Sequence, residues 1–338
     1  LVSEIAPKEK IEPTTRPDAV KWLEAYIKNE NIPHALLFSG IEGIGKHSAA
    51  VDFAMACNCM ANDQIPSATP CRRCRSCRKI QSGNHPDIIL IEPSGQFIQI
   101  DQIRMLRHSF SMKPLEARWR MAIIKEAQAM NPAASNALLK ILEEPPEQSV
   151  LILVARQKSD LLPTVVSRCK LIRFSPVSRD LLSAFLIEKK GIAAEDAMVM
   201  ASMAGGSYHK AERLRQSGWV KRRNWLITAI GMQKPGQTNV RSLGQILLLA
   251  EEIAGRKEYI DDSLEILQSW FRDMIVSKYD PTQILNQDWC DDIKAVSGRY
   301  TIAALLDKIG AVEEARKAIL RNAQPRLVLE NLLIQLAG

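Results

Sequence analysis

Cys71, Cys74 and Cys77, each separated from the next by two residues, with Cys57 and Cys59 upstream, are the side chains of this sequence best suited to chemistry. Zinc takes four soft or borderline ligands, sulfur at roughly 2.3 Å, and C-x2-C turns deliver thiolates at that separation without straining the backbone. Arg72, Arg73, Arg75, Arg78 and Lys79 surround these cysteines. Their charge is expected to lower the thiol pKa values and to offset that of a four-thiolate centre. On spacing alone either Cys57 or Cys59 can be the fourth ligand. Four protein donors leave no open position for a substrate, so the pattern predicts a structural Zn2+. The alternative, disulfides, suits a secreted chain, whereas the segment Leu1 to Arg16 is polar and of mixed charge, unlike a signal peptide.

A second constellation lies just upstream. Gly40-Ile41-Glu42-Gly43-Ile44-Gly45-Lys46 has the form G-x4-G-K, follows an apolar strand pattern and opens a helical one, which is the context a phosphate loop needs. The amides of Gly40, Gly43, Gly45 and the helix start can cradle phosphates, and Lys46 can reach the terminal ones. The next position, normally a Ser or Thr hydroxyl on magnesium, is His47, and Mg2+ strongly prefers oxygen. Ser48 does not substitute, because one step along a helix turns the side chain by about 100°. A nucleotide site also needs a carboxylate at the end of a second apolar strand. Two segments compete for that place: Ile88 to Glu92, where Glu92 would hold the metal, and Met121 to Glu126, where the cation of Lys125 would oppose it.

These residues need elements to hold them. The 338 residues are 46% hydrophobic and 25% charged, ordinary globular composition, and no apolar run approaches the roughly 20 residues that cross a bilayer, so a soluble, cytoplasmic protein is expected. The net charge of +7 comes from 45 basic residues interleaved with 38 acidic ones and by itself identifies no partner. Apolar runs at Ala35 to Phe38, Ile88 to Ile91, Met121 to Ile124 and Val150 to Val154 alternate with helical stretches such as Asp101 to Phe110 and Ser135 to Glu143, the pattern of a parallel sheet flanked by helices. After Phe174-Ser175-Pro176 the patterns are helical, with a break at Gly231 to Thr238. Three domains follow from this, one α/β and two all-α. Lys221-Arg222-Arg223 reads as a solvated helix face, and His34, His85, His108 and Cys290 show no chemical pairing.

Met130-Asn131-Pro132 through Asn136, Lys140, Glu143-Glu144-Pro145-Pro146, followed by Leu162-Pro163 and Ser167-Arg168-Cys169, resembles the bacterial clamp-loader AAA+ subunits of DNA polymerase III. The resemblance extends to Asn322 to Leu333, similar to the family's collar helix. It implies an α/β AAA+ (P-loop) domain over 1–175 with an inserted zinc module at 57–79, a small helical lid domain over 176–235 and an all-α C-terminal collar domain over 236–338. In the family register Cys59 is the first zinc ligand, with Cys71, Cys74 and Cys77. Met121 to Glu126 becomes the Walker B strand, and Arg168 an arginine finger acting in trans on a neighbouring subunit.

The family has gamma/tau motor subunits and a non-motor type called delta prime. This sequence departs from the motors at His47, at Lys125, at Ala155 in the sensor 1 position and at His209 in the sensor 2 position. The resemblance therefore implies the non-motor type, with no ATP turnover of its own and ATP or ADP bound weakly or not at all. Its implied partners are the gamma/tau and delta subunits, the β sliding clamp and, through the complex, primed DNA. Two alternatives stand beside it: a divergent gamma/tau-type ATPase using Glu126 or Glu92, and a zinc-dependent nucleic-acid-binding module resting on the basic cluster around Arg72 and Arg73.

Overall fold

A computed structural model describes residues 17–62, 69–230 and 242–337; the segment 1–16, the break at 231–238 and the domain boundary at 235 lie outside the described residues. The chain forms two compact units, one of residues 1–178 with 206–209, the other of 179–205 with 210–338.

The first unit is built on a five-stranded sheet, in the order β2-β3-β4-β1-β5, from β1 (Ala35–Ser39), β2 (Ile88–Ile91), β3 (Arg120–Ile124), β4 (Ser149–Ala155) and β5 (Lys170–Arg173). Every neighbouring pair is parallel. The four expected strands are all present; β5 was not expected, because Lys170 and Arg173 bracket only two apolar residues. Parallel strands are covered on both faces, which is why β3 and β4 read as unbroken apolar runs and are buried throughout. Leu36, Phe38, Met121, Ile123 and Ile152 pack against helices α1 (Pro17–Lys28), α2 (Lys46–Cys57) and α3 (Arg75–Gln81). Their strand neighbours Leu37, Ala122, Ile124, Leu151 and Leu153 pack against α4 (Ile100–Phe110), α5 (Pro132–Glu143) and α6 (Pro163–Val166). Each fully buried Leu or Ile contributes roughly 1.5–3 kcal/mol, so the doubly covered strands form the rigid base of the unit.

Asp87 pins the start of this sheet. Its carboxylate is fully buried, accepts from the backbone N–H groups of Leu115, Glu116 and Ala117 at 2.8–3.0 Å, and pairs with Arg120 at 2.7 Å. Burial alone would raise its pKa, but the donors of Glu116, Leu115, Arg120 and Ala117 outweigh that and lower it to about 2.

The second unit is helical among its described residues: α7 (Arg179–Lys190), α8 (Ala194–Ala204), α9 (Tyr208–Gln216, from Lys210 onward), α10 (Trp219–Ala229), α11 (Leu243–Ala254), α12 (Lys257–Ser277), α13 (Cys290–Ser297), α14 (Ile302–Leu320) and α15 (Pro325–Ala337). Ile260, Leu264, Leu267, Phe271 and Met274 recur at spacings of three and four and are buried, making α12 the helix on which α10, α11, α13 and α14 pack. Among the described residues, no helix is long and apolar enough to cross a membrane.

Candidate functional sites: a four-cysteine module and a phosphate loop

The cysteine module grows out of the end of α2. Cys59, Cys71, Cys74 and Cys77 bring their Sγ atoms within 4.8 Å of one another, and none forms a disulfide. A tetrahedron with bonds of roughly 2.3 Å has edges of about 3.8 Å, so these four soft donors fit a zinc ion with only a small contraction. Cys57, the competitor on spacing, is outside the group; it ends α2, and burial in apolar surroundings raises its thiol pKa. A helix turns by about 100° per residue, and two residues further on the chain has left α2 and aims Cys59 the other way. Backbone N–H groups of Cys71, Cys74 and Cys77 donate to the Sγ atoms of Cys59, Cys71 and Cys74 at 3.5, 3.3 and 3.4 Å. Donors of this kind hold thiolates in place around a metal.

The flanking cations act differently from the sequence expectation. The Cys71 thiol is lowered to about 6, and its first causes are the backbone amides of Arg73 and Cys74, not arginine side chains; burial raises those of Cys59 and Cys77. Arg72 and Lys79 instead tie the module to its surroundings, Arg72 to Asp52 of α2 at 2.8 Å and Lys79 to Glu116 in the segment before β3. Asn58, buried between Cys57 and Cys59, donates to the Trp119 carbonyl at 3.1 Å and accepts from its N–H at 2.9 Å.

The phosphate loop leaves the C-terminal end of β1, between β4 and β5, where ligands of open α/β sheets bind. Gly43 and Gly45 have φ of 75° and 81°, and Gly45 is the N-cap of α2. Gly43 is also hemmed in: a methyl there would collide with Ser207 Oγ, and the Gly43 carbonyl accepts from the His209 N–H at 3.2 Å. Lys46 is buried and folds back on the loop, its ammonium donating to the Gly40 carbonyl and, at 2.6 Å, to that of Ile41. Burial lowers its pKa to about 8, with Glu42 opposing and Arg156 adding to the shift. The ammonium therefore keeps its charge at pH 7. His47 is half-buried on the first turn of α2.

The two rival carboxylate segments prove to be neighbours. Ile91 of β2 lies opposite Ile124 of β3, so Glu92 and Lys125 emerge side by side and form an ion pair. β3 lies two strands from β1 and β2 lies three, roughly 10 and 14 Å away at 4.8 Å per strand. Lys125 thus holds the place nearer the phosphate loop and occupies the carboxylate that could have held a metal. Glu126 is exposed with φ of 49°, and Ala155 is buried at the end of β4.

Arg168 follows α6. It pairs with Glu143 at the end of α5 at 2.9 Å and donates to the Thr164 carbonyl at 3.0 Å, both within the chain. Cys169 is half-buried, and burial raises its thiol to about 12, which suits packing rather than reactivity.

The family model described as "DNA polymerase III, delta subunit" matches residues 15–178, and "DNA polymerase III, delta subunit, C terminal" matches 217–338. DNA polymerase III subunit delta' of Bacillus subtilis is 30% identical over 324 residues, 95% of this chain and 96% of its own length. The chain belongs to the delta prime family of DNA polymerase III subunits. The delta' subunit of Pseudomonas aeruginosa is also 30% identical, over 90% of this chain and 92% of its own. The tau subunit of Bacillus subtilis is 26% identical over 94% of this chain, which spans 59% of that longer protein.

For this delta prime family member several contacts carried no sequence signal. Asn58 meets Trp119 across 61 positions and Arg72 meets Asp52 across 20. Ser207 and His209 reach the phosphate loop from the far end of the first unit's chain. The triplet Lys221-Arg222-Arg223 is corrected: Arg223 is 1% exposed and pairs with Asp288 and Asn286, Arg222 pairs with Asp262 and stacks on Tyr259 at 3.6 Å, and only Lys221 faces solvent.

Proposed function

We propose that this chain is a non-motor clamp-loader subunit, helping to place the ring-shaped β sliding clamp on primed DNA together with gamma/tau and delta subunits in the cytoplasm. The observation that carries this reading is the Lys125–Glu92 pair at the strand ends facing the phosphate loop. A nucleotide-hydrolysing site needs a hydroxyl after the loop lysine and a carboxylate on the strand end, both for magnesium. Here an imidazole and an ammonium stand in those places, and one of the two alternative carboxylates, Glu92, is paired with the ammonium. The loop of Gly40, Gly43, Gly45, Lys46 and His47 then binds ATP or ADP weakly or not at all. Cys59, Cys71, Cys74 and Cys77 would hold a zinc ion whose contribution is folding energy rather than catalysis. The helices over 176–235 and 236–338 serve as lid and collar.

Arg168 is the residue assigned a catalytic part, in trans, at the ATP site of an adjacent motor subunit. Leaving Glu143 costs it little, because an exposed pair of this kind is worth about 0.2–1 kcal/mol. An arginine finger in GTPases gives 10³ to 10⁵ in rate, roughly 4–7 kcal/mol, so the local pair does not compete. The test is clamp- and primer-stimulated ATP hydrolysis by a reconstituted loader carrying Arg168→Ala at matched assembly. A large loss is expected; an unchanged rate returns Arg168 to its local role. The similarity to tau and the intact glycine turn favour one rival, a divergent motor. That rival requires the isolated chain to turn over ATP and Lys46→Ala to abolish the turnover.

A further inference from the structure

Five cations flank the cysteine cluster, and the structure sorts them into two groups. Arg72 and Lys79 point inward and are held by Asp52 and Glu116. Arg73, Arg75 and Arg78 are exposed and make no ion pair among the described residues, although Arg75 adds to the positive field that keeps the Glu116 carboxyl low. Arg75 and Arg78 are three apart on α3 and so share one face, and Arg73 precedes the Cys74 N-cap of the same helix. Helix stability does not explain Arg73 and Arg75, since cations at the start of a helix oppose its dipole; Arg78, in the last turn, is favoured by it. Offsetting thiolate charge does not explain it fully either: backbone amides already donate to three of the sulfurs, and the guanidinium groups are turned to solvent.

We propose that Arg73, Arg75 and Arg78 form a sequence-independent contact to the phosphate backbone of duplex DNA, with the cysteine cluster as the rigid base that presents them. Arginine binds phosphate in a bidentate, planar geometry and suits this role better than lysine. Duplex is favoured over single strands by what the module lacks. The stretch that carries these arginines has no Phe, Tyr or Trp between Phe53 and Phe97 on which unpaired bases could stack, the half-buried Trp119 beside Asn58 coming from outside it, while duplex carries about one charge per 1.7 Å of axis. The contact goes beyond the proposed function and does not involve Arg168.

The test is fluorescence anisotropy of a labelled duplex titrated with the full chain across a salt series, beside the same chain carrying Arg73→Gln, Arg75→Gln and Arg78→Gln, with zinc content measured on both. Three lost phosphate contacts should raise Kd at least about tenfold and flatten the log–log salt slope by about 2 to 3. A variant with full zinc and an unchanged slope overturns the proposal, as does a native chain that leaves the duplex unbound. Binding of polyglutamate through these arginines without duplex binding also overturns it, in favour of an acidic protein partner. Should the triple variant lose zinc, Arg78→Gln alone decides, with an expected slope change of about 0.9; no change overturns the proposal. This readout needs no ATPase, so its failure and that of the Arg168 reading are separable.

Discussion

The phosphate loop and the cysteine module are adjacent in sequence, joined through α2, yet they have kept opposite things. The module has every donor its metal would need, held by backbone amides and by Asn58, Arg72 and Lys79. The loop has its glycines, its lysine and its helix, while the groups that would bring magnesium are replaced and the surrounding contacts are turned inward: Lys46 onto loop carbonyls, Lys125 onto Glu92, His209 onto Gly43. The difference teaches that packing alone can require the glycines of such a loop. Gly40 and Gly43 are required by their close neighbours Phe174 and Ser207, whatever becomes of the nucleotide.

The comparison breaks most readily at the module. Cys77→Ser removes a buried donor and is expected to abolish zinc retention and to lower the thermal midpoint sharply, since structural zinc sites contribute on the order of 10 kcal/mol in isolated modules. Cys57→Ser should keep full zinc, and metal analysis of the two purified variants checks both outcomes. An equal loss of zinc in each would mean that the position beside Asn58, not the donor set, governs the module.

Next in size is the buried carboxylate at the start of the sheet. Asp87→Ala leaves the Arg120 guanidinium buried without its partner and should cost about 3–5 kcal/mol in denaturant unfolding. The acid side follows from the same group. Because the folded pKa of about 2 lies below the unfolded value of roughly 3.9, its stabilisation is full above pH 4 and is lost as pH falls through 4 toward 2. A urea series across that window should show this slope in the native chain and lose much of it in Asp87→Ala.

A smaller effect separates packing from ligand binding at the loop. Gly43→Ala combines a left-handed φ with a collision on Ser207 and is expected to cost about 1–3 kcal/mol even without nucleotide. Stability unchanged in the absence of ATP would mean that the glycine serves a ligand after all. Smallest is the Lys125–Glu92 pair, which is part-exposed; Glu92→Gln should change unfolding free energy by about 1 kcal/mol or less. Lys125→Asp sharpens the point, because with His47 and Ala155 unchanged no ATP turnover by the chain is expected in a steady-state assay.

The sequence was most legible where short-range chemistry decides. Four of the five strands, the C-x2-C knuckles and the glycine turn depend on spacings within a few residues, and each could be read directly. β5 escaped because an edge strand of four residues with charged ends leaves no apolar signature. The fate of Arg222 and Arg223 escaped because charge suggests solvent, and only the helices packed around them supply the buried partners that make their burial tolerable.

Residue types and local spacing by themselves determined a parallel α/β unit, a helical remainder, a candidate zinc donor set and a phosphate loop without its magnesium hydroxyl. Spacing left Cys57 and Cys59 open, the family resemblance named Cys59, and the structure has Cys59 in the cluster. Only the tertiary structure decided that Glu92 meets Lys125, that Arg168 rests on Glu143, and that Arg73, Arg75 and Arg78 are the cations left facing solvent. The physical reason is the same in each case. Which partner a charge or a thiol finds depends on strand order and helix direction, set by burial summed over the whole core, and no local window of sequence contains that sum.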